Sequence, residues 1–147
     1  MIETVEVTIN DKKYKYSKDI TLREIYMEHQ TEFKYPIILA KVNNRLKELN
    51  SPIKEDSVVK FLDLTSPEGN RVHVNGLVLI MEYVVKKLYG NRANIIVEHS
   101  IDKGIYIRTK FKLTEEKLDE IKALMKEVIK KDLPITKQTI DFIINHW

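Results

Sequence analysis

Four histidines, His29, His73, His99 and His146, are the side chains in this sequence best suited to metal or proton chemistry. No two of them stand four apart, and there is no cysteine to complete a zinc site. The four glycines are Gly69, Gly76, Gly90 and Gly104, and none falls in a Gly-x4-Gly-Lys-Ser/Thr phosphate loop. No nucleophile stands in a recognisable arrangement with a base. The residues therefore predict no catalytic centre, no metal and no cofactor in this chain. A small basic-aromatic group, Lys12, Lys13, Lys15, Tyr14 and Tyr16, could stack on nucleic-acid bases. On a hairpin, however, one face packs inward while the other carries solubilising lysines, and that is the expectation here.

Composition sets the frame for these residues. The chain has 147 residues, 43% of them hydrophobic and 32% charged, which suffices for one ordinary domain or two small ones. No apolar run approaches the ~20 residues that cross a bilayer. Without disulfides or a signal-like segment, a cytoplasmic chain is expected. The net charge of +3 lies in the second half: residues 1–64 carry 11 basic and 11 acidic side chains, and residues 65–147 carry 14 and 11. So small an excess does not by itself establish nucleic-acid binding.

In the first half, Thr4 to Asn10 alternates with period two, Asn10-Asp11 is a turn signal, and Lys13 to Ser17 alternates again, which predicts a β-hairpin. Thr21-Leu-Arg-Glu24 is a capping box for a short helix that Tyr35-Pro36 cannot continue. Ile37 to Val42 is apolar on both faces, as a central strand is. Asn43-Asn44 suits a turn. Strands around Leu46–Leu49 and Val58–Leu62 complete a ββαβββ order, that of a ubiquitin-like β-grasp.

Thr65 to Asn70 holds Pro67 and Gly69 and reads as a linker. A helix then runs from Gly76 to Gly90, with Asn75 as N-cap, Gly90 as C-cap and Leu77, Ile80, Met81, Val84 and Leu88 on its buried face. Strands at Asn94–Glu98 and Ile105–Arg108 flank a turn over His99–Gly104. A last complete helix begins at Thr114 and buries Leu118, Ile121, Met125 and Val128. Ile135–Ile140 reads as a strand, and Asp141 as the cap of a helix running to Trp147. The fold class is α+β, a β-grasp over 1–64 followed over 65–147 by an α+β domain with an antiparallel sheet.

The helix–hairpin order of the second half, with Lys86-Lys-Leu-Tyr-Gly90 closing its helix and Lys103-Gly-Ile-Tyr106 opening its last strand, resembles the editing (second additional) domain of threonyl-tRNA synthetases. Ala40 to Leu49, with Pro52 to Val59, looks like the TGS domain that precedes it in that family. The resemblance covers nearly the whole chain and implies an editing domain truncated at its C-terminus. In the family the helix opens with two histidines four apart that hold a catalytic metal or water. Here those positions are Asn75 and Leu79. The family's site also draws on a cysteine and a histidine further along, so the resemblance implies a scaffold without the editing chemistry.

The same tandem is known ahead of a P-loop kinase domain in uridine kinase-like nucleoside kinases. Their phrasing is similar to Ala40–Asn44, Phe61–Thr65, Val97–Ser100 with Lys103–Tyr106, and Lys131–Thr139. That likeness implies a non-catalytic regulatory or RNA-sensing module. Its partner would be a C-terminal kinase domain holding the ATP site beyond Trp147. The alternatives are a tRNA-binding or editing fragment of a synthetase-like protein, and a free-standing interaction module. In each case the expected contact with tRNA or other RNA is weak, through Lys86, Lys87, Lys103, Arg108 and Lys110.

Overall fold

A computed structural model describes residues 2–101 and 104–135. The chain divides into two compact units, Met1–Leu77 and Val78–Trp147.

The first unit is a five-stranded sheet with one helix packed on it. Its strands are β1 (Thr4–Ile9), β2 (Lys12–Ser17), β3 (Ile37–Val42), β4 (Arg45–Glu48) and β5 (Ser57–Asp63), and the helix α1 is Leu22–Glu28. The strand order is β2-β1-β5-β3-β4, with β1 and β5 parallel and the other neighbours antiparallel. That is β-grasp topology, as the sequence order implied. Both hairpin turns use residues that tolerate positive φ: Asn10 and Asp11 at 49° and 64°, Asn43 and Asn44 at 48° and 65°. The alternation of β1 buries Val5, Val7 and Ile9 against Leu22, Ile25, Ala40, Val59 and Phe61. The capping box forms as expected. Glu24 N–H donates to Thr21 Oγ1 at 3.2 Å, and Thr21 N–H donates to the Glu24 carboxylate at 2.8 Å. The bonds that the Glu24 carboxylate accepts, from Thr21 N–H and then from Thr21 Oγ1–H at 2.8 Å, hold it below its ordinary pKa.

Helix α2 spans Pro67–Tyr89, nine residues earlier than the sequence suggested. The segment read as a linker is its first turn. Ser66 Oγ accepts from Gly69 N–H at 3.0 Å, the bond an N-cap makes, and Pro67 sits at the first helical position, where its missing N–H costs nothing. The Asp63 carboxylate accepts from Thr65 N–H and Oγ1–H at 2.8 and 2.6 Å, which closes the strand-to-helix turn and lowers its pKa. Asn75 is therefore an interior residue of α2, not its cap.

In the second unit, the C-terminal part of α2 packs with a hairpin, β6 (Ile95–Ile101) and β7 (Gly104–Thr109), and with α3 (Glu115–Lys130). The hairpin is antiparallel. β6 continues through His99 and Ser100, which the sequence had placed in the turn. Gly90 ends α2 in the left-handed region at φ 92°, with its N–H on the Lys86 carbonyl. Thr114 caps α3 by accepting from Lys117 N–H at 3.2 Å. Val84, Val85, Ala93 and Ile121 are buried, with Ile80, Met81, Leu124, Met125 and Val128 packed around them. Leu88 departs from its expected place on that face and is 37% exposed. Tyr89 takes the inward role, its ring 5.2 Å from that of Phe111 and its hydroxyl donating to Glu120 at 2.9 Å. The expected strand and helix beyond Ile135 lie outside the described residues. Among those described, no helix is long and apolar enough to cross a membrane.

Candidate nucleic-acid interface and the Asn75 and Leu79 positions

Asn75 and Leu79 lie one turn apart on α2, so their spacing is that of a metal-holding pair, but neither side chain can ligate zinc as an imidazole would. Among the described residues, no three His, Cys, Asp or Glu side chains gather in a metal-binding arrangement. His73 lies on the same helix without a second histidine one turn away. Leu79 is 48% exposed. With Ile80 and Tyr83 of α2 and Val128, Ile129 and Leu133 it borders an apolar groove of about 490 Å³.

The basic residues fall into distinct states. Lys86 is paired with Glu82 at 3.1 Å, an i,i+4 pair on α2. Lys87 lies over the Tyr83 ring, 5.8 Å from its centroid. Arg108 on β7 donates to Glu98 on β6 at 2.8 Å. Lys110 is exposed just past β7 and has no ion-pair partner among the described residues. Lys103 lies outside the described residues. Of the candidate contacts that the structure describes, Lys87 and Lys110 have no ion-pair partner among the described residues, while Lys86 and Arg108 are partly neutralised.

Two features escaped the sequence. His99 and Tyr106 stack across the hairpin, with centroids 5.5 Å apart and planes at 16°, and Tyr106 is 54% exposed. Tyr106 and Arg108 are two apart on β7 and so face the same way, which sets an exposed aromatic platform beside a guanidinium. The alternation in Ile105-Tyr-Ile-Arg108 was the available signal. Lys117 lies 5.2 and 5.5 Å from the centroids of Tyr89 and Phe111, so this cation is bound to the unit's own aromatics. Burial and the Glu120 carboxylate raise the Tyr89 phenol above its ordinary pKa. In the first unit, Tyr14 and Tyr16 pack toward the core while Lys12, Lys13 and Lys15 stay exposed, as expected of a hairpin with one inward face.

No family model matches the chain. Curated relatives do. The similarity is to threonine–tRNA ligases. That of Thermotoga maritima is 32% identical over 141 residues, covering 92% of this chain and 22% of the ligase. Those of Sulfurihydrogenibium sp. and Geobacillus kaustophilus are each 27% identical, over 139 and 143 residues, covering 90% and 95% of this chain. The chain spans 22% of the length of each of these relatives. The similarity runs through both units and is to the N-terminal part of the ligases. It makes the chain threonyl-tRNA synthetase-like, and these relatives lend no support to a uridine kinase.

Proposed function

We propose that this chain is a non-catalytic, tRNA-contacting module of the synthetase type: a TGS-like domain over 1–64 and an editing-like domain over 65–147 that has lost its hydrolytic centre. One observation carries the reading. Leu79, for which the resemblance implies a histidine, borders an apolar groove in a chain similar to threonine–tRNA ligases over 141 residues. The module contacts RNA through Lys87, Lys110 and the His99–Tyr106 platform, with Lys86 and Arg108 contributing less because each already has a carboxylate partner. Stacking and a few phosphate contacts give weak, salt-sensitive association. Its setting is cytoplasmic.

The test is direct. Purified residues 1–147, mixed with tRNA at low salt, should bind in the micromolar range or weaker and release no serine from mischarged Ser-tRNA. Deacylation that disappears in an Asn75→Ala variant would refute the loss of chemistry. Nanomolar binding that survives physiological salt would refute the weak interface.

The kinase setting is a second reading, and the missing histidine pair favours it, since a kinase has no need of editing. A P-loop in the same reading frame downstream of Trp147 would select it. Synthetase motifs there would select the first reading.

A further inference from the structure

We propose that the first unit carries a binding site for a small phosphomonoester with a hydroxylated body, a sugar phosphate or a mononucleotide, in the cavity under the loop that joins β4 to β5. Ala40 and Val42 lie on the face of β3 that turns toward α1. Leu49 and Ile53 of the loop join the same core, so the loop crosses that face. A cavity of about 390 Å³ is left between the loop and the strand ends, with Val42 and Ile53 as its apolar side. Ligand cavities run from roughly 300 to 1,000 Å³, so this one fits a small molecule. The loop is fixed by backbone bonds on its far side. Asp19 N–H donates to the Ile53 carbonyl at 2.8 Å, Ile53 N–H to that of Ile20 at 2.8 Å, Leu22 N–H to that of Ser51 at 3.1 Å and Arg23 N–H to that of Leu49 at 2.7 Å. The cavity is therefore pre-formed, and binding does not have to order it.

The polar lining sets the class of ligand. Lys47 and Lys54 border the cavity, and neither has an ion-pair partner among the described residues. The acids next to them in the chain do not neutralise them. Glu48 follows Lys47 on β4 and so turns to the opposite face of the sheet. Asp56 is engaged with β1, accepting from Glu6 N–H at 2.8 Å. Glu55 is the one acid along the cavity, against two lysines. Two ammonium groups match a phosphomonoester, which is close to dianionic at neutral pH, better than they match the single charge of a carboxylate. Ser57 is 6% exposed, and its hydroxyl donates to the Glu55 carbonyl at 2.7 Å. The Ser57 oxygen and the Glu55 carboxylate remain as acceptors at the cavity, and hydroxyl groups on the ligand's body supply their donors.

Calorimetric titration of residues 1–147 with ribose 5-phosphate tests the site. A Kd on the order of 1 mM or tighter is expected for a ligand of this size. Ribose, which lacks the phosphate, should not bind. Lys47→Gln combined with Lys54→Gln should weaken binding by about tenfold or more, as charge-assisted hydrogen bonds are lost. Lys12→Gln combined with Lys15→Gln, at exposed lysines of β2 outside the cavity, should leave it unchanged. In amide NMR spectra, ribose 5-phosphate should shift Ser51, Lys54 and Ser57 and leave α3 in place. Tighter binding of adenosine 5′-monophosphate than of ribose 5-phosphate would assign the site to a mononucleotide, and the reverse to a sugar phosphate. Absence of binding by both at millimolar concentration would overturn the proposal. So would equal losses in the two lysine pairs, or inorganic phosphate binding as tightly as ribose 5-phosphate.

Discussion

Tyr16 and His29 are joined by a hydrogen bond of 2.8 Å between the phenol oxygen and Nε2, which ties the second strand to the end of α1. With its proton on Nδ1, His29 donates to Glu32 at 2.9 Å and accepts from Tyr16. His29 is buried, and Tyr14 packs edge-on against its ring at 4.6 Å. A histidine that was a candidate for chemistry is thus a structural link with both ring nitrogens satisfied.

Tyr16→Phe should lower stability by about 1 kcal/mol, because it leaves Nε2 buried without a donor. The phenol's pKa is raised from 10.0 to about 12, first by burial and then by the Glu28 carboxylate. A raised value means that the folded state holds the proton more tightly. The contribution is complete below pH 10 and is lost as pH rises through 12. Urea midpoints measured from pH 8 to 12 should fall at the alkaline end in the wild type, and fall less in the phenylalanine variant.

Gly69 and Gly76 lie on one helix and should respond oppositely to alanine. A Cβ at Gly69 would overlap the Asp63 carbonyl oxygen and stand 2.7 Å from Ser66 Oγ, so the helix start must shift. A cost of about 1–3 kcal/mol is expected, as for other overpacked sites. At Gly76 nothing lies within 4 Å, and alanine should stabilise by roughly 0.5–1 kcal/mol through helix propensity alone. Thermal midpoints of the two variants decide it. Equal shifts would contradict this placement of α2.

The same two glycines show what could be read from the chain. The β-grasp was legible because β1, β2 and β5 alternate with period two and the Asn-Asp and Asn-Asn turns announce positive φ. Thr21, Gly90 and Thr114 were legible because caps are local. The first turns of α2 were not. Pro67 and Gly69 carry the composition of a loop, and only the contact with Asp63 shows that glycine serves close packing there. The Tyr16–His29 bond and the His99–Tyr106 stack join residues on different elements, and no local pattern encodes such pairs. The groove is likewise set by how α2 and α3 pack, although Leu79 and Ile129 are individually ordinary.

Asn75 separates the two accounts of α2. As an N-cap its loss would cost about 1 kcal/mol, whereas at an interior exposed position Asn75→Ala should be neutral or stabilising by a few tenths. Ser66→Ala should carry the cap's cost instead, about 1 kcal/mol, since it removes the acceptor for Gly69 N–H. Chemical denaturation of both variants at neutral pH measures the difference.

For RNA binding the geometry ranks residues that composition could not. Lys86 and Arg108 sit on Glu82 and Glu98, so removing either cation also frees a carboxylate and the electrostatic loss is mixed. Lys110 has no such partner among the described residues, and Lys87 rests on the Tyr83 ring. The Lys87→Gln, Lys110→Gln double variant should therefore weaken tRNA binding more than Lys86→Gln with Arg108→Gln. It should also reduce the slope of log K against log salt by about 1–2, as when one or two phosphates are no longer neutralised. Tyr106→Ala should weaken binding by about 1–3 kcal/mol without changing that slope, because stacking releases no counterions. Filter binding across a salt series distinguishes the three variants. Identical slopes in all of them would remove the second unit from the interface.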